Sequence, residues 1–332
     1  MATHQHFNPA HIVATHDVAD GIRLFDIRPD DGLQAHAPGS HIDVEVLVED
    51  RPQYRSFSLI GDAAEAGAYR IAVKDRPDGH GGSRYLWSLE PGDRLRISDP
   101  KDRFPLSYRA PKVVLIAGGI GITPLYGMAR ALVQSAHDVR LLYTARTREE
   151  MAFVDELAAE LGDRLELYVT GEGQRLDPAA VIQDLHPEAE LYICGPQSLR
   201  EAFLSVWLEQ NRPAERFRFE TFASSGRLPD TPFDVRVANR DLEFTVARDQ
   251  SLLDALQAHG VNDVLYDCEH GECGLCTIDV VEHSGELDHR DVFYSPRQKA
   301  AGTRMCACVS RVHDGHIVID TSRHAVDTGH PD

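Results

Sequence analysis

The chain has 332 residues, 42% of them hydrophobic and 26% charged, and its 34 basic against 53 acidic side chains leave a net charge of −19. That length exceeds one ordinary hydrophobic core and implies two or three domains, while the charge argues against nucleic-acid or anionic-membrane binding, which needs clustered Lys and Arg to neutralise phosphate. No apolar run is long enough to span a bilayer, and the N-terminal MATHQHFNPAH has neither the basic start nor the apolar core of a signal peptide, so a cytoplasmic chain is expected. The acidic excess serves solubility, or it forms a face that steers a basic protein partner.

Residues 10–106 read as strands. HIVATH, IRLFDIR, HIDVEVLV, YRSFSLI, YRIAVK and LRISDP are short, β-branched and alternating, with turn-forming DG, PG, GDAAEAGA and PDGHGG stretches between them. Strands with little helix between them predict a small antiparallel β-barrel. Within it, Arg55 with Ser56 on a strand, and the glycine-rich Gly81, Gly82 and Ser83 ahead of a helix, would make a cradle for a phosphate monoester. Taken alone, Arg55 reads equally well as a member of a surface ion pair.

From Ala110 to about Ser225 the grammar changes. Apolar strands alternate with helical periods: KVVLIAGG then PLYGMARALVQ, VRLLYTA then EEMAFVDELAAEL, RLELYVT then DPAAVIQDL, ELYICG then SLREAFLSVWLEQ. This pattern predicts an α/β domain, a parallel sheet with helices on both faces. The turn LIAGGIGITPL carries Gly118, Gly119 and Gly121, then Thr123 and Pro124, where glycine permits close approach of a pyrophosphate and proline suits the first helical position. Tight βα turns need glycine in any case, so this signal is weak alone. ICGPQ places Cys194, Gly195 and Pro196 at the C-terminal end of a later strand, where α/β sheets bind ligands, although Cys194 also reads as a small core residue.

The turn-rich SSGRLPDTP, 224–232, reads as a linker. FDVRVANRDLEFTV then predicts a hairpin across Asn239 to Asp241, and SLLDALQAHG a helix capped by Ser251 and stopped at Gly260. Five of the six cysteines follow, three of them in CEHGECGLC, 268–276. The spacing C-x4-C-x2-C with a distant fourth Cys is the plant-type [2Fe–2S] pattern, unlike the paired C-x2-C knuckles of structural zinc. Gly271 and Gly274 would let the loop wrap so that backbone N–H groups point at sulfur. Cys268, Cys273 and Cys276 are thus candidate ligands. Spacing leaves the fourth open, because Cys306 follows Cys276 after 29 intervening residues and Cys308 after 31; counting alone favours Cys306.

Together, CEHGECGLC, LDHRD, CVSRV and IVID resemble the C-terminal ferredoxin domain of the phthalate dioxygenase reductase family. In that family the fourth ligand directly precedes the V-S-R stretch, which implies Cys308 and makes Cys306 a bystander; the segment before LDHRD is then two residues longer than usual. YRSFSL and GGS match the family's flavin motifs. The resemblance therefore implies that Arg55, Ser56 and the Gly81, Gly82, Ser83 amides hold the phosphate, and that Phe57 and Ser58 flank the isoalloxazine with Ser58 near N5. GGIGITP and CGP resemble its nicotinamide-binding turns, with Cys194 beside the nicotinamide. PKDRFPL, 100–106, resembles the boundary between the flavin and nicotinamide domains.

The resemblance runs from about residue 10 to 322. It implies an FMN-binding β-barrel at 1–108, an NAD-binding α/β domain at 109–225, a linker at 226–232 and a β-grasp ferredoxin domain at 233–332. The activity it implies is that of an NADH-dependent reductase component using FMN and a [2Fe–2S] cluster, with electrons delivered to a separate Rieske-type non-haem iron oxygenase. A haem monooxygenase is the alternative acceptor; a redox sensor without turnover and a zinc-stabilised interaction module are rival readings. In YTARTREE, 143–150, Arg146 and Arg148 could clasp a 2′-phosphate, whereas Glu149 and Glu150 offset them, and the balance points to NADH. A monomer is the working expectation.

Overall fold

The computed structural model describes residues 7–322 apart from 49–50, 77–80, 223–227, 249, 268, 270 and 272. The chain divides into two compact units, Met1–Thr221 and Phe222–Asp332. Among the described residues no helix is long and apolar enough to cross a membrane.

The first unit opens with the strands β1 (Phe7–Ala19), β2 (Ile22–Pro29), β3 (His41–Val48), β4 (Arg51–Ser58), β5 (Tyr69–Lys74) and β6 (Arg94–Ser98), interrupted by α1 (Ala63–Ala66) and α2 (Gly82–Trp87). They form one antiparallel sheet in the order β4-β3-β6-β1-β2-β5. Ile60 N donates to Arg70 O at 2.9 Å, so the chain leaving β4 meets β5 and begins to close the barrel. Period-2 alternation sends Ile42, Val44 and Val46 of β3 inward to pack with Ile12, Phe25, Ile27 and Ile71, and α2 contributes Leu86 to the same core.

The same unit continues with β7 (Lys112–Gly118), α3 (Ile122–Gln134), β8 (Asp138–Ala145), α4 (Val154–Leu161), β9 (Leu165–Val169), α5 (Pro178–Gln183), β10 (Glu190–Cys194), α6 (Gln197–Glu209) and β11 (Phe217–Glu220). The five strands are all parallel, in the order β11-β10-β7-β8-β9. The strand order therefore reverses between β7 and β10, which makes the C-terminal ends of those two strands the crevice where open α/β sheets bind ligands. Val114, Ile116, Leu191 and Ile193 pack on Ile182, Phe203 and Trp207 from α5 and α6. The helix expected over EEMAFVDELAAEL is shorter and starts at Val154. Tertiary packing overrides the helical period there: Phe153 is left-handed (φ 62°), its ring lies 5.3 Å from Tyr126, and the Ala152 N–H donates to the Tyr143 hydroxyl.

The second unit contains β12 (Phe233–Val237), β13 (Leu242–Val246), α7 (Leu252–Ala258), β14 (Thr277–His283), β15 (Glu286–Asp288), α8 (Pro296–Ala301), β16 (Arg304–Cys306), β17 (Arg311–His313) and β18 (His316–Asp320). A five-stranded mixed sheet runs β13-β12-β18-β14-β16, with β12 and β18 parallel, and β15 pairs with β17 beside it. Helix α7 has the expected cap, a reciprocal Ser251–Asp254 capping box, and buries Leu252, Leu253 and Leu256 against Val235, Val237, Ile317 and Ile319. This is the β-grasp arrangement.

At the switch point the turns after β7 and β10 interlock. A Cβ on Gly121 would lie 2.2 Å from the Cys194 carbonyl oxygen, and one on Gly195 would lie 2.8 Å from the Gly118 Cα. Neither neighbour is a flexible side chain, so neither can yield cheaply. Gly119 differs: its φ is +55° and a Cβ there would meet open space. Gly121→Ala should destabilise the N-terminal unit by about 3 kcal/mol through overpacking, and Gly119→Ala by about 1 kcal/mol through backbone strain. Chemical denaturation of the two variants checks this; equal losses would mean that the interlock is not what glycine at 121 serves.

Candidate functional site

The switch-point turn is built by its own backbone. The Thr123 hydroxyl is buried and donates to Ile120 O at 3.0 Å, closing the turn on itself. Pro124 is the third residue of α3, still within the first turn, where a missing N–H breaks no helical bond. Of the three turn glycines, Gly121 is needed for packing against the end of β10 and Gly118 against the turn after it, and Gly119 is the one that faces open space. Arg146 lies exposed just beyond β8 and its carbonyl accepts from Gly171 N at 2.9 Å. Arg148 is also exposed, and Glu150 is engaged in an ion pair with Lys74 at 2.7 Å. The expected offset of the arginines by two glutamates is therefore reduced to Glu149.

Cys194 is almost fully buried at the end of β10 and is the register partner of Glu220 on β11. Ser58, at the end of β4, is buried and donates toward the Glu220 carboxylate at 3.4 Å. The barrel and the parallel sheet thus meet at a hydroxyl and a carboxylate placed at the C-terminal ends of the strands. Glu220 was missed in the sequence. Its only signal there is an acid ending the last strand, FRFE, and which residue of the barrel it would meet depends on how the two sheets dock.

Arg55 lies over the start of α2: a Cβ on Gly82 would come within 2.9 Å of the Arg55 side chain, and Gly81 takes φ +83°. The guanidinium is steadied by its own strand, donating to Tyr54 O at 2.8 Å and to the Gln53 side chain. The close packing of Gly82 under a cation at a helix start suits a phosphate, so these residues fit the flavin cradle. The structure does not group Ser56 with Arg55. Strand alternation puts Ser56 on the face of Ser58, and its hydroxyl donates to Asp43, which also accepts from Lys101 Nζ at 2.5 Å. Burial pushes the Asp43 carboxyl up, but the hydrogen bonds from Lys101 and Ser56 outweigh it and hold the group at about 2. Phe57 shares the face of Arg55 and packs part-buried on the barrel core. Ser83 stands half-buried in the first turn of α2.

Cys268 lies outside the described residues. Cys273 is half-buried; Cys276, Cys306 and Cys308 are buried. Cys276 and Cys308 bring their sulfurs to 3.1 Å, too far for a disulfide and within thiol hydrogen-bonding range. Hydrogen bonds from Cys306 and Cys308 pull the Cys276 thiol well below its usual range, so a thiolate is favoured at this position. Cys306 and Cys308 do not share one alternating strand. Cys306 ends β16 opposite Thr277, and Cys308 lies in the turn that follows. The loop is tied down by Ala307 N donating to Cys276 O at 2.9 Å.

Glycine is required where expected. A Cβ on Gly271 (φ +74°) would strike Val309 at 2.6 Å and the Asp291 backbone at 2.8 Å, and one on Gly274 (φ +71°) would strike the Phe293 ring at 2.3 Å. The LDHRD segment therefore props the cysteine loop. Asp291 is fully buried, accepts from Tyr294 N at 2.9 Å and Ser310 Oγ at 3.1 Å, and faces His289 and Lys299. Burial raises its carboxyl, yet His289, the Tyr294 N–H and Lys299 together hold it below the usual range. A thiol pair as close as Cys276 and Cys308, beside a tight glycine-turned loop, fits an iron–sulfur cluster. In the first unit, a cavity of about 370 Å³ lined by Lys112, Asp138 and His186 lies at the N-terminal ends of β7 and β8, the end of the parallel sheet opposite the switch-point crevice.

Three family models match in the order of these sites: an oxidoreductase FAD-binding domain over residues 9–105, an oxidoreductase NAD-binding domain over 115–204 and a 2Fe-2S iron-sulfur cluster binding domain over 235–313. The phenoxybenzoate dioxygenase subunit beta of Ectopseudomonas oleovorans is 38% identical over 91% of this chain and 93% of its own length. The heme-dependent oxidative N-demethylase beta subunit of Ectopseudomonas mendocina (strain ymp) is 37% identical over 87% of this chain and 90% of its own. The solved structure of phthalate dioxygenase reductase, described as modular for electron transfer from pyridine nucleotides to [2Fe-2S], superposes with a TM-score of 0.77 at 32% identity, covering 95% of this chain and 98% of that one. With the barrel, the switch-point crevice and the cysteine loop in the same order along nearly its whole length, this chain belongs to the phthalate dioxygenase reductase family of flavin- and nicotinamide-dependent iron–sulfur oxidoreductases.

Proposed function

We propose that the chain is the cytoplasmic reductase component of a multicomponent oxygenase, taking hydride from NADH on to FMN and passing single electrons through a [2Fe–2S] cluster to a separate Rieske-type oxygenase. The observation that carries this is the meeting of Ser58 with Glu220 at the switch point, because it sets a flavin-barrel hydroxyl beside the strand ends that receive a dinucleotide. Bound flavin takes two electrons as hydride and releases them singly, which joins a nicotinamide donor to a one-electron cluster. Arg55 with Gly81, Gly82 and Ser83 would hold the flavin phosphate, and Phe57 and Ser58 would flank its ring. Glu220 keeps the Ser58 hydroxyl oriented and offers it a proton acceptor. Gly119 leaves room for the pyrophosphate, Arg146 faces the adenosine side, and Cys194, Gly195 and Pro196 line the nicotinamide end.

Cys268, Cys273, Cys276 and Cys308 would ligate the cluster, with Cys306 a neighbouring thiol. Domain limits of 1–108, 109–225 and 233–332, with a linker at 226–232, remain our division. The second reading, delivery to a haem enzyme, is favoured by the similarity to the heme-dependent N-demethylase subunit. Reconstitution with each class of oxygenase and measurement of NADH-driven product formation separates the two.

Replacing Cys308 with Ser should abolish or destabilise the cluster, read from visible absorption and electron paramagnetic resonance, while flavin reduction by NADH continues. Cys306→Ser should be mild; the reverse pattern would make Cys306 the ligand. Arg55→Ala removes a charge-assisted phosphate contact of roughly 1.5 to 3 kcal/mol, so flavin should be lost on gel filtration with the fold intact. Chromatography of the released flavin should yield FMN, and recovery of FAD would overturn that assignment. For nicotinamide choice, kcat/KM for ferricyanide reduction should be at least about tenfold higher with NADH than NADPH, or ~1.4 kcal/mol. Equal or inverted values would mean that Arg146 and Arg148 capture a 2′-phosphate.

A further inference from the structure

The end of the linker is not loosely attached to the second unit. Asp230 lies 2.6 Å from Arg290 Nη1 and 3.7 Å from Arg311 Nε. Arg290 Nη2 also donates to Leu228 O at 3.2 Å, and Arg311 Nη2 donates to Thr231 O at 3.1 Å and Ala247 O at 2.8 Å. His313 Nδ1 is 3.1 Å from Pro229 O, and Asp314 N donates to the Thr231 hydroxyl at 3.2 Å. Every residue from Leu228 to Thr231 is therefore held. The holding side chains are themselves fixed: Arg290 is 4% exposed and pairs with Asp288 at 2.7 Å, and Arg311 lies 5.1 Å over the Phe233 ring. Asp288 and Arg311 are register partners across β15 and β17.

The place of this clamp matters more than its strength. Arg290 directly precedes Asp291, whose backbone blocks any Cβ on Gly271, and Val292 N donates to Gly271 O at 2.9 Å. The chain from the flavin and nicotinamide unit is thus anchored on the segment that props the cysteine loop, one residue before Asp291, instead of at β12. Phe222 to Leu228 is six residue steps, whereas Phe222 to Phe233 is eleven. Fully extended, these spans reach about 20 Å and about 40 Å.

We propose that Asp230, with Arg290 and Arg311, is a positioning residue for reduction of the cluster: it shortens the tether and fixes its anchor beside the cysteine loop, raising the rate of electron passage from flavin to cluster. This rests on the reading that electrons move between those two groups within the chain. None of the three side chains touches either group. Their effect is on encounter, and releasing five residues into the tether should lower the effective concentration about 2.5-fold, from the −3/2 power of its length.

The test is anaerobic stopped-flow mixing of the full-length holoprotein with NADH, following flavin bleaching as the first phase and cluster bleaching as the second. Asp230→Asn should leave the first phase unchanged and slow the second about 2.5-fold or more, with an unaltered cluster resonance spectrum. Asp230→Glu, which retains the carboxylate, should recover most of the rate. Inserting Gly-Ser-Gly-Ser-Gly after Gly226 lengthens the tether without touching the clamp and should slow the second phase similarly. An unchanged second phase in Asp230→Asn, or a slowing accompanied by an altered cluster spectrum, overturns the proposal. If Asp230→Asn does not fold, the insertion decides, and a wild-type second phase in it is fatal. A wild-type protein with both groups present but no second phase would instead overturn the functional reading itself.

Discussion

The close approach of the turns after β7 and β10 is the constraint on which the rest of the first unit depends. Gly121 against the Cys194 carbonyl and Gly195 against Gly118 allow two adjacent parallel strands to end in contact, with no side chain between them. That contact sets where β10 ends, and through the Cys194–Glu220 register it sets where β11 ends as well. Glu220, at that strand end, accepts from the Ser58 hydroxyl at 3.4 Å. Protein packing accounts for glycine at 118 and 121, whereas Gly119 faces open space with a left-handed backbone.

Buried charge is used in both units to hold a surface that a ligand or cluster would lie on. Asp43 would be destabilised by burial alone, yet Lys101 and Ser56 satisfy it and thereby fix β4 against β3 and the chain after β6. Asp291 does the same under the cysteine loop, with Ser310, Tyr294 and Lys299 as partners. In each case removal of one partner would leave an uncompensated charge, which is why such groups are fully bonded. The result is a rigid backing, and a rigid backing is what precise placement of a redox group requires.

Much of the architecture was legible in the sequence because it depends on local periodicity. The alternating segments became β1 to β6, the apolar runs became the parallel strands, and the Ser251 cap formed as its spacing implied. The helix over EEMAFVDELAAEL was overestimated because the Tyr143 hydroxyl and the Tyr126 ring compete for Ala152 and Phe153, and neither competitor is near in sequence. Among site residues, Arg55 over Gly82 and the glycines of the cysteine loop were readable from residue type and spacing. Ser56 and Thr123 were not, since a hydroxyl's partner depends on which neighbour reaches it first.

The sequence by itself determined the order of the domains and the kinds of group each one binds, because glycine turns, thiol spacing and hydrophobic period act over a few residues. Tertiary structure decided which groups meet. It joined Ser58 to Glu220 across 162 positions, paired Glu150 with Lys74, and fastened Asp230 to Arg290 beside the cysteine loop. Those pairings arise when separate sheets and loops pack, and distance in space after packing has no counterpart in the spacing of residues along the chain.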